Sequence, residues 1–152
     1  MCKLGDIIVV DEYVGDDEVI VSKHSFVVIN DKPGFIEGLR YDLVTNVMSS
    51  FKNDEHKNRK LRFMENLEVI SNDIVADKNK NGKSGFIKAD QLIYFDKAKI
   101  KYYVLGHLDE KLLDELILLI IKLAECGKLV NNLNNLSDSV VSGVWQREVK
   151  SV

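Results

Sequence analysis

Cysteine, proline and long apolar runs are all scarce in this chain. Two cysteines occur in 152 residues, Cys2 and Cys126, far apart and outside any metal-type spacing. A disulfide framework and a thiolate metal site are therefore not expected, and a reduced intracellular setting fits best. No stretch reaches eighteen consecutive apolar residues, so no membrane-spanning helix is expected. Met1 to Asp6 lacks the apolar run of a signal peptide, which makes the cytoplasm the expected location. The one proline, Pro33, sits in Asn30-Asp31-Lys32-Pro33-Gly34, where it stops the apolar run before it.

What is present is an ordinary globular composition, 45% hydrophobic and 30% charged. That suffices for one domain with a core of its own. A net charge of −3 argues against a uniformly basic nucleic-acid binder, but the charge is polarised along the chain. Asp6, Asp11, Glu12, Asp16, Asp17 and Glu18 crowd the first twenty residues. Basic residues come later: Lys52, Lys57, Arg59, Lys60 and Arg62, then Lys78, Lys80, Lys83 and Lys88, then Lys97, Lys99 and Lys101. Local basic surface attracts phosphates whatever the total; the bland alternative is a set of solvated loops.

Short β-rich runs recur at Ile7 to Val10, Glu18 to Ser22, Phe26 to Ile29 and Leu43 to Met48. Others follow at Glu68 to Ile70, Gly85 to Ala89, Leu92 to Phe95 and Tyr102 to Leu105. Lys52 to Arg62 has no period and reads as an exposed loop, as does the polar stretch from Asp73 to Ser84. A single long helix is expected between the cap Asp109 and Gly127, with Leu112, Leu113, Leu116, Ile117, Ile120 and Ile121 on a broad apolar face. Residues 1–127 are thus expected to form a small β-barrel with a packing helix. Residues 128–152 read as a C-terminal extension, helical or partner-docking. Within it Asn131 to Leu136 is weakly structured by composition, and Val140, Val141, Val144 and Trp145 form a small apolar cluster.

Asp77-Lys78-Asn79-Lys80-Asn81-Gly82 matches the first half of a calcium-binding loop. The twelfth position, where a bidentate Glu belongs, is Lys88, and four lysines oppose a cation, so a polar hairpin loop is the better reading. His24, His56 and His107 lack partners at ligand spacing. Neither a metal nor another cofactor is expected.

Gly5-Asp6-Ile7-Ile8-Val9-Val10 at the front, and Ser84 to Leu108 followed by the helix, resemble the MazF/PemK toxin family over roughly residues 4 to 123. The resemblance implies a mainly β fold with α additions, an SH3-like barrel, and sequence-preferring, metal-independent cleavage of single-stranded RNA. It also implies a homodimer and an antitoxin protein that blocks the RNA groove. In the family an Arg-Pro pair opens the second strand; here Ser22-Lys23-His24-Ser25 stands there, with Lys23 in place of Arg and His24 in place of Pro. Asn46-Val47-Met48-Ser49-Ser50 ends the next strand, so Ser49 or Ser50 takes the position of the family's hydroxyl residue.

Lys is a point charge where Arg is a bidentate fork, whereas His24 adds a group that titrates near neutrality. The expected catalytic set is Lys23 on the phosphate, His24 moving a proton, and Ser49 or Ser50 on developing charge. Strand alternation sends Lys23 and Ser25 to one face and His24 to the other, so convergence requires a twist. Lys52, Lys57, Arg59, Lys60 and Arg62 are the expected RNA-binding residues, and Phe51, Phe63, Tyr41 and Tyr13 are candidates for base stacking. The alternative is a barrel without the chemistry, acting as a protein- or nucleic-acid-binding regulator.

Overall fold

The apolar run opening at Ile7 becomes the first strand of a curled, largely antiparallel sheet. The computed structural model describes residues 2–15, 17–33, 41–75 and 84–136. The calcium-loop look-alike from Asp77 to Gly82 lies outside them, as do Val140, Val141, Val144 and Trp145. Strand β1 (Asp6–Val14) is followed by β2 (Ile20–Asn30), and β3 is Leu43–Ser50. After helix α1 (Asp54–Lys60) come β4 (Asn66–Val69), β5 (Ile74–Val75), β6 (Gly85–Phe95) and β7 (Tyr102–Leu108). Helix α2 (Glu110–Glu125) precedes a last strand, β8 (Val130–Asn135). The strand order is β4-β6-β3-β2-β1-β7-β5, with β8 also on β6.

Two expected runs, Glu18 to Ser22 and Phe26 to Ile29, are one strand, because Lys23 to Ser25 keep the ladder to β1 through His24–Val10 and Ser25–Val9. Phe26 to Ile29 are at most 1% exposed, which accounts for their unbroken hydrophobicity. The expected loop from Lys52 to Arg62 contains α1. Asn53 caps it, accepting from the His56 amide at 2.8 Å, and Asp54 and Glu55 lie at its positive end with basic residues in its last turn. Charge order along the dipole makes this helix where apolar periodicity is lacking.

Each face of the sheet buries its own core. Ile7, Val27, Ile29, Val44 and Ile87 pack with Leu112, Leu116, Ile120 and Leu123 of α2. On the opposite face Ile8, Val10, Phe26, Val28, Leu43, Val47, Ile93 and Phe95 form a second cluster without any helical residue. A sheet that buries both faces with a helix on only one must curl on itself. Helix α2 has the expected ends: the Asp109 carboxylate accepts from the Lys111 amide at 3.2 Å, and Gly127 adopts a φ of 70°. The Lys128 amide then reaches back to the Leu123 carbonyl at 2.8 Å. Leu118 faces outward at 66% exposure.

The segment from Asn131, expected to be weakly ordered, is β8, and it pairs in parallel with β6 from Gln91–Val130 to Phe95–Asn135. Its asparagines are all engaged. Asn131 Oδ1 accepts from the Tyr94 hydroxyl at 3.0 Å, Asn132 Nδ2 donates to the Val14 carbonyl at 2.9 Å, and Asn134 Nδ2 donates to the Gly15 carbonyl at 3.0 Å. Asn135 holds both sides of Val14, accepting from its amide at 2.6 Å and donating to its carbonyl at 3.1 Å. These amides tie the last strand to the tip of the first and close β1-β2-β3-β6-β8 into a small barrel-like curl.

Replacing Asn135 by Ala strands the Val14 amide and removes one of its carbonyl's partners. Urea unfolding is expected to show a loss of about 1–3 kcal/mol, with amide exchange at Val14 accelerated before that of β3.

Candidate functional site

Polar residues interrupt the apolar run of β6 at Lys88, Asp90 and Gln91, and the ladder breaks at the same place. Asn46 pairs with Leu92 and Met48 with Ile87. Val47 alone therefore faces four residues, Lys88 to Gln91. Asn46, fully buried, fills the break. Its Nδ2 donates to the carbonyls of Lys88 at 3.1 Å and Gln91 at 2.9 Å and lies 3.5 Å from that of Ala89. The Ala89 amide is taken by the Glu65 carbonyl at 2.8 Å. Before the bulge β6 pairs with β4, and beyond it with β8.

The bulge forms one wall of a cavity of about 220 Å³. Lys88, Gln91 and Ile93 line it from β6, His24 and Val21 from β2, Val47 from β3, Tyr13 and Asp17 from the β1–β2 hairpin, and Val130 and Asn132 from β8. The His24 ring stacks at 11° to the Tyr13 ring with centroids 6.1 Å apart, and meets Phe26 edge-on at 6.0 Å. Tyr13 is itself wedged edge-on against Phe26 at 4.9 Å and Phe95 at 6.4 Å. Burial first, and then the Lys88 ammonium, hold the His24 imidazole below its ordinary value of 6.5. It is therefore neutral at neutral pH and competent to accept a proton. Beside Lys88, burial and then Glu65 push the Asp90 carboxyl up.

The expected catalytic set does not meet here. Lys23 and His24 are strand neighbours and point to opposite faces. The Lys23 ammonium stands 5.3 Å from the centre of the Tyr103 ring on β7, whereas His24 lines the cavity. Ser49 shares the face of Val47 one step farther along β3, half-buried, and Ser50 faces the other way, exposed. Neither serine is on the cavity wall. Gly85 allows this strand end to sit close, since a Cβ there would collide with the Ser49 carbonyl oxygen. His24 alone of the four candidates reaches the cavity, because no twist reverses the alternation between positions 23 and 24.

The expected RNA-binding residues lie on and beside one short helix. Lys57, Arg59 and Lys60 lie on α1, with Lys52 before it and Arg62 after it. Lys57 is committed to Glu68 at 3.2 Å and lies 5.9 Å from the centre of the Phe51 ring. Partial desolvation, and then Arg59, Lys60 and Lys52, hold the His56 imidazole below its ordinary value, which marks α1 as a local positive field. Phe51 stacks on Phe86 at 5.3 Å, Tyr41 packs edge-on against Tyr94 at 4.9 Å, and Phe63 is 52% exposed.

Lys88 and Gln91 are the site residues that sequence reasoning passed over. Their signal was there: with Asp90, they are the polar residues set between the apolar runs Phe86-Ile87 and Leu92 to Phe95. Among the described residues no group of three or more His, Cys, Asp or Glu comes together as metal ligands, and no helix is long and apolar enough to cross a membrane. Neither protein-family models nor curated proteins give a match to the chain.

Because Asn46 satisfies carbonyls that no ladder can reach, Asn46→Ala is expected to cost about 1–3 kcal/mol for each group stranded. Urea denaturation measures it, and a carboxylate at the same position (Asn46→Asp), facing three carbonyl oxygens, is expected to cost more than the alanine.

Proposed function

We propose that this chain is an SH3-like barrel of the MazF/PemK kind that cuts single-stranded RNA, with the cavity between His24 and Lys88 as its active site. One observation carries the reading: an imidazole held neutral and an ammonium share the wall of one cavity. Cleavage of RNA by its own 2′-hydroxyl needs a proton acceptor at that hydroxyl and positive charge at the phosphoryl oxygens. His24 takes the 2′-proton, and the 2′-oxygen forms its bond to phosphorus. Lys88 offsets the charge on the non-bridging oxygens. The bond to the 5′-oxygen breaks, and water in the open cavity protonates that oxygen. The products are a 2′,3′-cyclic phosphate and a 5′-hydroxyl.

In this assignment Lys88 takes the part that sequence position suggested for Lys23, and the serines fall outside the reacting atoms. The cations on and beside α1 that form no ion pair among the described residues (Lys52, Arg59, Lys60 and Arg62) would hold the strand on either side of the scissile phosphate, phosphate contacts giving affinity rather than sequence choice. A second copy of the chain and an antitoxin protein are the partners proposed with it, and the cytoplasm the location. The rival, a binding module without cleavage, is favoured by one observation: Lys23 is turned away from His24 and committed to Tyr103.

Purified protein incubated with a mixed single-stranded RNA decides between the two. Cleavage leaving 2′,3′-cyclic phosphate ends is expected, reduced about 10²–10⁴-fold in His24→Ala and about 10²–10³-fold in Lys88→Met. Lys23→Ala is expected to keep the wild-type rate. Intact RNA after incubation with the wild type overturns the cleavage reading and leaves the binding module.

The pH profile adds a second check. A base with a depressed pKa loses function only as pH falls through that lowered value, so the acid limb is expected below 6.5. Lys88→Met removes one of its two causes and is expected to move that limb up towards 6.5. Stability follows the same sign: the unfolded chain binds the His24 proton more tightly, so folding loses stability as pH drops below 6.5.

A further inference from the structure

We infer that the cavity receives one unstacked nucleobase of the bound strand, and that Gln91 reads the edge of that base and decides which one is accepted. The inference deepens the RNA reading above and takes from it only the identity of the ligand class. At about 220 Å³ the space lies below the range of drug-sized pockets and suits a single ring system. Two polar side chains of its wall are committed to the protein. Asn132 donates to the Val14 carbonyl and accepts from the Asn134 amide at 3.0 Å, so both ends of its side-chain amide are engaged. Asp17 Oδ1 accepts from the Val19 amide at 3.1 Å.

Gln91 differs. Among the described residues its side-chain amide has no hydrogen-bond partner, although its backbone is fixed from both sides by Asn46 and by pairing with Val130. A free carboxamide on an immobilised backbone, set beside Val47 and Ile93, offers a donor and an acceptor side by side. That pair matches the edge of a base, and a good bidentate contact discriminates by roughly 5- to 150-fold. The stacking surface is also in place: Tyr13 is held by Phe26 and Phe95 and lies nearly parallel to His24. Aromatic faces accept any base, so stacking supplies affinity and the amide supplies choice. Lys88, at the other end of the bulge from Gln91 and on the same cavity wall, marks where the adjoining phosphate sits.

Four 2′-O-methyl hexanucleotides, each of a single base, test this without cleavage. Equilibrium binding by fluorescence anisotropy is expected to spread over roughly 5- to 150-fold among the four. Gln91→Leu is expected to collapse that spread, whereas Lys88→Met weakens all four alike, as loss of a phosphate contact does. Should Gln91→Leu not fold, Gln91→Glu serves: losing the amide donor, it is expected to re-rank the set towards bases with an exocyclic amino group. A spread and ranking unchanged in the Gln91 variant, or no binding by the wild type, overturns the inference. A Gln91-dependent preference in a protein that leaves unmethylated RNA intact upholds it and overturns cleavage alone. Cleavage whose base preference ignores Gln91 overturns the base pocket alone.

Discussion

One buried amide sets the shape of this molecule. Asn46 sits fully buried in the middle of β3 and donates to main-chain carbonyls of β6 that the ladder leaves behind. An unpaired carbonyl in a core costs on the order of 1–3 kcal/mol. A bulge of four residues against one is therefore tenable only where a side chain replaces the missing ladder bonds. With Asn46 in place β6 bends, and the bend lets one strand serve two partners along a single edge, antiparallel β4 before it and parallel β8 after it. Bulges that re-aim side chains are common beside functional sites. Here the re-aimed residues are Lys88 and Gln91.

Those two residues acquire their chemistry from what surrounds them. The face opposite the cavity is covered by α2. The inner face is aromatic, and it ends in a rim where His24 is half-buried. Partial burial is the useful degree for the proton acceptor proposed above. Full exposure would leave the imidazole partly protonated at neutral pH, and full burial would keep it from a substrate. Lys88 pushes in the same direction as burial, so the charge that would hold a phosphate also keeps the proton acceptor free.

The elements of the fold were legible where one physical signal dominated. Helix α2 shows its cap at Asp109, its apolar stripe and its left-handed stop at Gly127 in the sequence, and all three recur in the structure. Most strands were legible as apolar runs, but the short β5 lay in an expected loop, and the unions of two runs into β2 and of two more into β6 were not legible. Lys23 to Ser25 look like a break, and only pairing with β1 makes them a strand. Helix α1 was hidden for the opposite reason, since its stability comes from a cap and from charge order, which leave no period. At the site, His24 was legible as a titratable group at a strand opening. Its partner was not, because Lys88 is supplied by a bulge that depends on a residue more than forty positions earlier. The alternation that separates Lys23 from His24 was legible all along, and the structure obeys it.

Strand β8 shows why composition misleads most where polar side chains replace main-chain bonds. Asn-rich segments disfavour strands because the carboxamide competes for the local backbone. In β8 that same capacity is directed at a different strand: Asn132, Asn134 and Asn135 bond Val14 and Gly15 more than a hundred positions away. A ladder strand at this place would need its backbone aligned along β1 as well as β6, which the bend in β6 prevents. Side-chain amides reach across the gap that the bend opens. The bulge held by Asn46 and the asparagines of β8 are thus two halves of one solution: the first turns the sheet away from regular closure and the second closes it. The cavity is the space left between them.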